Sequence, residues 1–313
     1  NKSFNKPIRW PISFNNLTKK AETLISKQDG KTVAYFAPPR WNDAKELTGS
    51  ISYTVKDGYL TYTAPDLTDA VYPVTIDPTF SVGVAAGADD YDHNTQDNAF
   101  ASTNTYLRVG NDYSAGNYDR RYHLATLYAG VTISPGSTVS AASIAFRTTI
   151  DGEGTGTVFT KISAVDEDNA AIATSDATCD TDDGIRTTAQ IDWDFALVDA
   201  DDSALTSGDF TSVVQEIIDR AGWASGNNLL IHIAYDVIQI RVYQGVASYE
   251  HASYTAPTIS ITYTSPGVTL SATSSAATEG GATSTYTVVL DKAPTGNVNK
   301  SLSNDNVQAT TTP

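Results

Sequence analysis

The balance of charged residues changes at the stretch VYPVTIDPT, which covers residues 71–79. Its second half alternates apolar and polar residues, as a half-buried β-strand does, and flanking prolines limit how far that strand extends. Residues 1–79 carry ten Lys or Arg and eight Asp or Glu, whereas residues 80–264 carry eight and twenty-five. Such a step in charge beside a proline-flanked strand is typical of a domain boundary. We therefore predict that a small β-module, residues 1–79, ends here and that an acidic module begins at residue 80.

Strand signals dominate on both sides of this boundary. Upstream, Asp57-Gly58 separates two alternating runs and predicts a tight hairpin, because glycine adopts positive φ without a Cβ penalty. Downstream, short β-type runs recur between polar loops, at residues 105–109, 141–149, 156–165, 229–234, 238–243 and 258–264. This spacing is typical of an antiparallel sandwich or jelly roll. We predict an all-β, multi-module chain whose centre, residues 80–264, is a jelly-roll-like β-sandwich with one short helix.

The helix of that sandwich is expected within residues 209–221, where two Val and two Ile form an apolar stripe. Ser212 and Gln215 have the spacing of a capping box, and Gly222 supplies a stop signal. We expect this helix either to plug the sandwich or to cover one end of it. Residues 17–25 also place apolar side chains on one helical face, which predicts a helix in the first module, although neighbouring strands compete with it.

The C-terminal stretch, residues 265–313, reads as a partial immunoglobulin-like module. A Ser-Pro-Gly linker precedes it, and alternating residues flank a turn at residues 279–281. The sequence stops before a sandwich domain is complete, so either this module pairs with another chain or the sequence is part of a longer protein. The absence of Met also indicates a piece of a longer chain.

Composition limits the partners. A pI near 4.4 argues against nucleic acid, because phosphate binding needs clustered cations. The longest apolar runs fall far short of the roughly 20 residues of a membrane-spanning helix, so no membrane insertion is expected. The single Cys179 has no partner for an intrachain disulfide, which leaves the compartment open.

Several stretches of the acidic module together carry a family resemblance: ADDY at residues 88–91, YLRVG at 106–110, RRYHL at 120–124, ISPGSTV at 133–139, ASIAF at 142–146, ASYE at 247–250 and PTISITY at 257–263. In these motifs the module resembles the DNRLRE family of secreted β-sandwich modules, which are related to carbohydrate-binding modules. The family's usual Leu-Arg-Phe strand is replaced here by HLATL at residues 123–127. The resemblance therefore implies a β-sandwich but no particular charged ligand contact.

The flanking stretches carry resemblances of their own. Residues 71–79 are similar to a short β-module that often precedes such sandwiches, and YTVVL at residues 286–290 resembles an opening strand of a Calx-beta domain. Together these resemblances imply a string of modules in a bacterial surface protein or a phage structural protein.

Acidic turns make calcium the expected cofactor. Ca²⁺ takes six to eight oxygen ligands, usually from several loops, and this chain offers several clusters of carboxylates on loops. We favour Asp89, Asp90 and Asp92 as ligands of a structural Ca²⁺, because they open the sandwich. Solvated acidic loops without a metal are the alternative.

Sugar binding needs exposed aromatic faces with nearby polar groups. The predicted loop between residues 111 and 122 offers both, and its candidate ligand-binding residues are Tyr113, Tyr118, Arg120, Arg121 and Tyr122. Trp193 and Trp223 are instead expected in the core, the first in an alternating strand and the second directly after the helix.

These observations lead to two main hypotheses. The first is a non-catalytic structural or adhesive component of an extracellular filament, a cell surface or a virion appendage, whose partners are other copies of itself, other surface proteins, and glycans. The alternative is a carbohydrate-binding module of a larger secreted enzyme. A hydrolase would need a nucleophile elbow or an identifiable carboxylate pair, and neither is apparent in the sequence.

Overall fold

The computed structural model describes residues 79–114, 118–238 and 240–266 continuously, together with residues 287–290 and, outside these ranges, the backbone of the short strands given below. Two compact units are present, Asn1–Ser265 and Pro266–Pro313. The predicted module boundary at residue 79 lies inside the first unit and stays a prediction. Within the described residues, no helix is both long and apolar enough to cross a membrane.

The elements in chain order are β1 (Arg9–Pro11), β2 (Leu17–Lys20), β3 (Thr23–Gln28), β4 (Lys31–Phe36), β5 (Arg40–Asp43), β6 (Thr48–Ser50), β7 (Tyr53–Lys56), β8 (Tyr59–Tyr62), β9 (Val74–Asp77), β10 (Thr79–Gly83), β11 (Asp90–Asn94), β12 (Ala99–Ala101), β13 (Tyr106–Ser114), β14 (Tyr118–Val131), β15 (Thr138–Arg147), β16 (Thr157–Val158), β17 (Thr160–Ala164), α1 (Asp176–Gly184), β18 (Ile191–Asp192), β19 (Phe195–Ala196), β20 (Ala204–Thr206), α2 (Thr211–Ile218), β21 (Asn227–Tyr235), β22 (Val242–Ala247), β23 (Thr258–Thr264), β24 (Val268–Leu270) and β25 (Val288–Leu290). The all-β prediction is confirmed.

Two large antiparallel sheets dominate the first unit. One has the strand order β2-β3-β4-β10-β23-β15-β20. The other has the order β12-β11-β14-β21-β17-β18, and β13 pairs with both β14 and β22 at its side. The long strand β14 carries this branching, because its first residues pair with β13 and its later ones with β21. Three small sheets in the same unit are β1-β8-β7, β6-β5-β9 and β16-β19, and the second unit contributes the pair β24-β25.

The main core lies where the inner faces of the two large sheets meet. Ile259 and Ile261 alternate with polar residues along β23 and enter this core, as do Ile231 and Ile233 from β21. Burial of each such side chain contributes about 1.5–3 kcal/mol relative to an exposed position. Strand alternation thus accounts for the sandwich, since every second residue of each strand faces the other sheet.

Helix α2 forms where the apolar stripe predicts a helix, and it adds its two Val and two Ile to the core. The predicted capping box is wrong. Phe210 is the N-cap residue and makes no side-chain cap hydrogen bond. Gln215 instead accepts a hydrogen bond from the Val139 amide at 2.7 Å and donates one to the Ser137 carbonyl at 3.1 Å, so its amide ties the helix to β15.

Helix α1 was not predicted, and one short helix is therefore too few. Its sequence, DATCDTDDG, has no apolar stripe that the 3.6-residue period would reveal. It packs against a second, smaller core on the outer face of the β14 sheet, where Tyr91, Leu127 and Leu230 meet its Cys179. The predicted helix over residues 17–25 is also wrong, because β2 and β3 pair there in antiparallel register from Leu17 opposite Ser26 to Lys20 opposite Thr23.

Both tryptophans expected in the core are buried. Trp193 is 6% exposed and stacks between Phe146 and Phe195. Trp223 is 3% exposed and donates its indole N–H to the carbonyl of Ile133 at 3.0 Å. Neither ring is available for a ligand.

Candidate ligand-binding face

The sequence around residues 111–122 is a hairpin of β13 and β14, not the predicted loop. Along β13, Leu107 and Val109 enter the core, so Tyr106, Arg108 and Asp112 lie on the opposite face. The antiparallel register places Gly110 between Tyr122 of β14 and Tyr243 of β22. Gly110 has a φ of +117°, and a Cβ there would lie 2.6 Å from the Val242 carbonyl oxygen, so this position requires glycine.

Four planar side chains form a continuous row on this face. The Arg108 guanidinium carbon lies 5.2 Å from the ring centre of Tyr106 and 4.3 Å from that of Tyr122. The rings of Tyr122 and Tyr243 follow with centres 5.0 Å apart. We call Tyr106, Arg108, Tyr122 and Tyr243 the Tyr–Arg face. Tyr122 is buried, whereas the other three are partly exposed, so they are the ones that a ligand can contact.

A buried carboxylate holds the arginine of this face in place. Arg108 Nε donates to Asp92 Oδ2 at 2.7 Å, and Asn104 Nδ2 lies 3.5 Å from Asp92 Oδ1. Burial raises the pKa of Asp92, and the charge and hydrogen bond of Arg108 oppose that rise. Charge-assisted hydrogen bonds of this kind are short and directional, so Asp92 fixes the plane of the guanidinium.

Charged side chains line the edge of the Tyr–Arg face. Arg241 lies 2.6 Å from Glu153 through Nη2 and 3.5 Å from Asp112 through Nε. Arg120 lies 3.7 Å from the other oxygen of Asp112. Tyr243 donates its hydroxyl to Glu153 at 3.3 Å, and burial followed by neighbouring Tyr122, Glu153 and Asp112 raises the pKa of Tyr243 to about 12. The edge therefore offers both hydrogen-bond donors and acceptors.

The structure separates the five predicted binding residues. Arg120 and Tyr122 lie on the Tyr–Arg face or its edge. Arg121 lies on the other side of β14, where its Nη1 donates to the Tyr235 hydroxyl at 3.0 Å. Tyr113 alternates with Asp112 and so does not share its face. The side chain of Tyr118 lies outside the described residues.

Sequence reasoning missed Tyr106, Arg108 and Tyr243. The alternation of Tyr106, Arg108 and Asp112 along one strand is a local signal that predicts a shared face. Tyr243 gives no such signal, because only the pairing of β13 with β22 brings it to Gly110.

The predicted calcium ligands are not gathered around one point. Asp92 is committed to Arg108 and Asn104. Asp90 accepts a hydrogen bond from the Tyr249 amide at 2.8 Å, and Asp89 lies at the end of the turn closed by its amide and the Ala86 carbonyl. Among the residues whose side chains are described, no group of three or more His, Cys, Asp and Glu side chains is arranged to hold a metal ion. The calcium assignment stays a prediction.

Three histidines that are far apart in sequence meet on the outer face of the sheet, beside α1. His93 lies opposite His123 in the β11–β14 register, and the rings of His123 and His232 are 5.1 Å apart, edge to face. We call His93, His123 and His232 the histidine row. All three are buried, with 1%, 7% and 1% exposure. His232 occupies a buried, hydrogen-bonded position, because its Nε2 lies 3.1 Å from Arg186 Nη2.

The histidine row is closed by charged neighbours. His93 Nε2 is 2.6 Å from Asp176, the first residue of α1. Burial, followed by the charge of Arg186, lowers the pKa of His123 to about 3, and the same causes lower that of His232. Both rings are therefore neutral at pH 7.

A separate cleft lies on the outer face of β10, β23, β15 and β20. Its volume is about 470 Å³, and its walls are mainly small residues such as Ser81, Thr206, Thr258 and Ser260, with Arg147 beside them. Its one aromatic lining residue, Phe146, is 2% exposed and belongs to the core. Because no described ring faces this cleft, the Tyr–Arg face is the better candidate for stacking a ligand.

Comparison with known proteins adds little to this description. No family model matches the chain, and no curated protein sequence matches it. A solved carbohydrate-binding module of the β-sandwich superfamily aligns with 82% of this chain and 95% of its own, at 11% sequence identity and a TM-score of 0.17. A likeness of that size carries no argument about function.

Proposed function

We propose that this chain is a non-catalytic, extracellular β-sandwich module that binds carbohydrate at the Tyr–Arg face. The observation that carries the proposal is the row of four planar side chains in contact, three of them partly exposed, with carboxylates and guanidinium groups beside them.

The apolar part of the interaction comes from the rings. A sugar ring has one face of C–H groups, and an exposed aromatic ring is a flat apolar partner for such a face. Tyr106 and Tyr243 lie at the two ends of the row, with Arg108 and Tyr122 between them, so a ligand that spans the row contacts both exposed rings.

The polar part comes from the edge. Glu153 accepts hydrogen bonds from hydroxyl groups, and Arg120, Arg241 and Arg108 donate to ring and hydroxyl oxygens. Asp112 is buried and instead holds Arg120 and Arg241 at the edge. Because Arg241 contacts both carboxylates, their negative charges are balanced on the protein itself. This balance favours a neutral sugar over a strongly charged one.

Arg241 also bears on the choice between binding and catalysis. A glycosidase places two carboxyl groups on opposite sides of the scissile bond. Asp112 and Glu153 instead share one guanidinium group, an arrangement that suits a binding surface.

The test is a glycan array followed by calorimetry with the best neutral oligosaccharide. Tyr106→Ala and Tyr243→Ala should each weaken binding by about tenfold or more, which corresponds to about 1.4 kcal/mol. Tyr254→Ala is the matched control, because Tyr254 is also partly exposed but contacts His251 and Asp201 away from this face.

Circular dichroism must show that each variant is folded. Binding that survives both substitutions on the face, or an array with no bound glycan at all, contradicts the proposal.

Our second candidate function is a structural component of a filament, a cell surface or a virion appendage, assembled from copies of this chain. Two exposed isoleucines favour it: Ile150 is 80% exposed and Ile240 is 72% exposed. Exposed apolar side chains of this size suit contact with another protein surface. Sedimentation velocity should show oligomers that Ile150→Ser and Ile240→Ser together dissolve, and a monomer at all concentrations would contradict this candidate.

A further inference from the structure

The strongest unexplained feature is a pair of carboxylates, the fully buried Asp90 and the half-buried Glu250. Asp90 is fully buried at the start of β11, and only one of its oxygens has a partner: Oδ2 accepts the Tyr249 amide at 2.8 Å. Its Oδ1 is buried and has no hydrogen-bond partner among the described residues. An unpaired buried oxygen of a carboxylate is costly, so it calls for a ligand.

Glu250 brings a second unpaired oxygen to the same place. It directly follows Tyr249, whose amide binds Asp90, and its own amide is held by the Ser248 hydroxyl at 3.1 Å. Its Oε2 is buried without a hydrogen-bond partner in the described part of the chain. Its Oε1 lies against Gly87, since a Cβ added to Gly87 would collide with it.

The two carboxylates act on each other electrostatically. Burial raises the pKa of Asp90 to about 8 although the Tyr249 amide opposes the rise, and the negative charges of Glu250, Asp89 and Asp92 add to it. Asp92 has its own cation in Arg108, whereas no described Lys, Arg or His side chain forms an ion pair with Asp90. With a pKa of about 8, Asp90 is mostly protonated at pH 7 when no cation is bound, so a bound cation has to displace that proton.

We propose that Asp90 and Glu250 bind one divalent cation, Ca²⁺, which ties the turn at residues 86–89 to the segment before β23. Ca²⁺ accepts carboxylate and backbone carbonyl oxygens in flexible geometry, and water completes its coordination. The turn itself is closed by the Asp89 amide and the Ala86 carbonyl, so it presents a fixed backbone to the pair. This site differs from the Asp89, Asp90 and Asp92 set expected from sequence, because it uses Glu250 and neither Asp89 nor Asp92.

The experiment compares thermal unfolding and calorimetry of chelator-treated protein with and without about 1 mM Ca²⁺, a concentration near the weak end of extracellular calcium sites. We expect the wild type to bind one Ca²⁺ and its Tm to rise. Glu250→Gln should abolish both the binding and the rise. Asp90→Asn should do the same, and Glu250→Gln decides the question if Asp90→Asn does not fold.

Two controls separate this site from other acidic surfaces. Asp199→Asn removes an exposed carboxylate elsewhere and should keep the full calcium response. Tyr243→Ala should also keep it, so failure of the carbohydrate proposal and failure of the calcium proposal are distinguishable. If the carboxylates merely share a proton, Ca²⁺ will leave the wild-type Tm unchanged, and that result overturns the proposal. A calcium response that survives in Glu250→Gln also overturns it.

Discussion

Successive residues of β14 contribute to two very different polar surfaces. Arg120 and Tyr122 belong to the Tyr–Arg face or its edge, whereas Arg121 and His123 lie on the other side, with the histidine row. The Tyr–Arg face remains partly open, and its charges are paired. The histidine row is closed by α1 and its neighbours, and burial keeps two of its rings neutral.

The difference shows what burial does to the same kinds of residue. Where solvent reaches, Arg108 and its aromatic neighbours keep their charge and shape available for a ligand. Where α1 excludes solvent, the histidines are neutral packing residues. They lower the stability of the folded protein only at acidic pH. A polar cluster is thus a candidate binding site only if some of its side chains are exposed to solvent.

The largest expected effect comes from breaking the ion pair beneath the Tyr–Arg face. Arg108→Ala leaves Asp92 buried without its cation, and loss of one partner of a buried pair costs about 3–5 kcal/mol. Urea unfolding at pH 7 measures it. The control is Arg147→Ala, whose pair with Asp202 is largely exposed and for which about 0–1 kcal/mol is expected. Equal losses in the two variants would show that the Arg108 pair has no special role.

The histidine row should make stability depend on pH. The pKa of His123 is lowered to about 3 in the folded protein, below the unfolded value near 6.5, so the unfolded state binds more protons in between. The contribution of His123 to stability is therefore largest above pH 6.5 and falls by about 1.4 kcal/mol for each pH unit below it, or by about 3 kcal/mol at pH 4.5.

His123→Phe keeps a ring that stacks on Tyr235 and removes the titrating group, so unfolding curves at pH 7.5 and 4.5 should lie closer together than in the wild type. His251→Phe, at a partly exposed histidine outside the row, should retain the wild-type dependence. If His123→Phe keeps that dependence too, the proton uptake does not come from His123.

A smaller effect is expected where glycine shapes the Tyr–Arg face. Gly110→Ala places a Cβ at a positive φ and against the Val242 carbonyl, and it should cost about 2–3 kcal/mol. Gly156→Ala is matched in φ, at +109°, but has no atom within 4 Å of the added Cβ, so it should cost only about 1 kcal/mol. Chemical denaturation measures both, and identical costs would mean that the close approach at Gly110 is unimportant.

Much of the fold follows from local pattern. The alternating run at residues 258–264 is strand β23, and the apolar stripe within residues 209–221 is helix α2. Patterns fail where a segment depends on its surroundings. The four Asp of α1 give no apolar pattern that predicts a helix, and its packing against Tyr91 and Leu127 stabilises it. The apolar periodicity of residues 17–25 predicts a helix, but the pairing of β2 with β3 makes this segment two strands.

The candidate site is less predictable than the fold. Its aromatic and cationic composition indicates the Arg120–Tyr122 region, but side-chain direction follows from strand register, which sends Arg121 to the opposite face. Tyr243, Glu153 and Glu250 enter their sites through pairings between distant segments, and nothing in the sequence near them predicts those partners.

The most direct test of the central claim is to map amide chemical-shift changes in the ¹⁵N-labelled protein during titration with the oligosaccharide that the array identifies. Binding at the Tyr–Arg face predicts changes concentrated at residues 106–112, 120–122 and 241–245. Changes confined to the cleft around Ser81, Thr206 and Ser260 would contradict it.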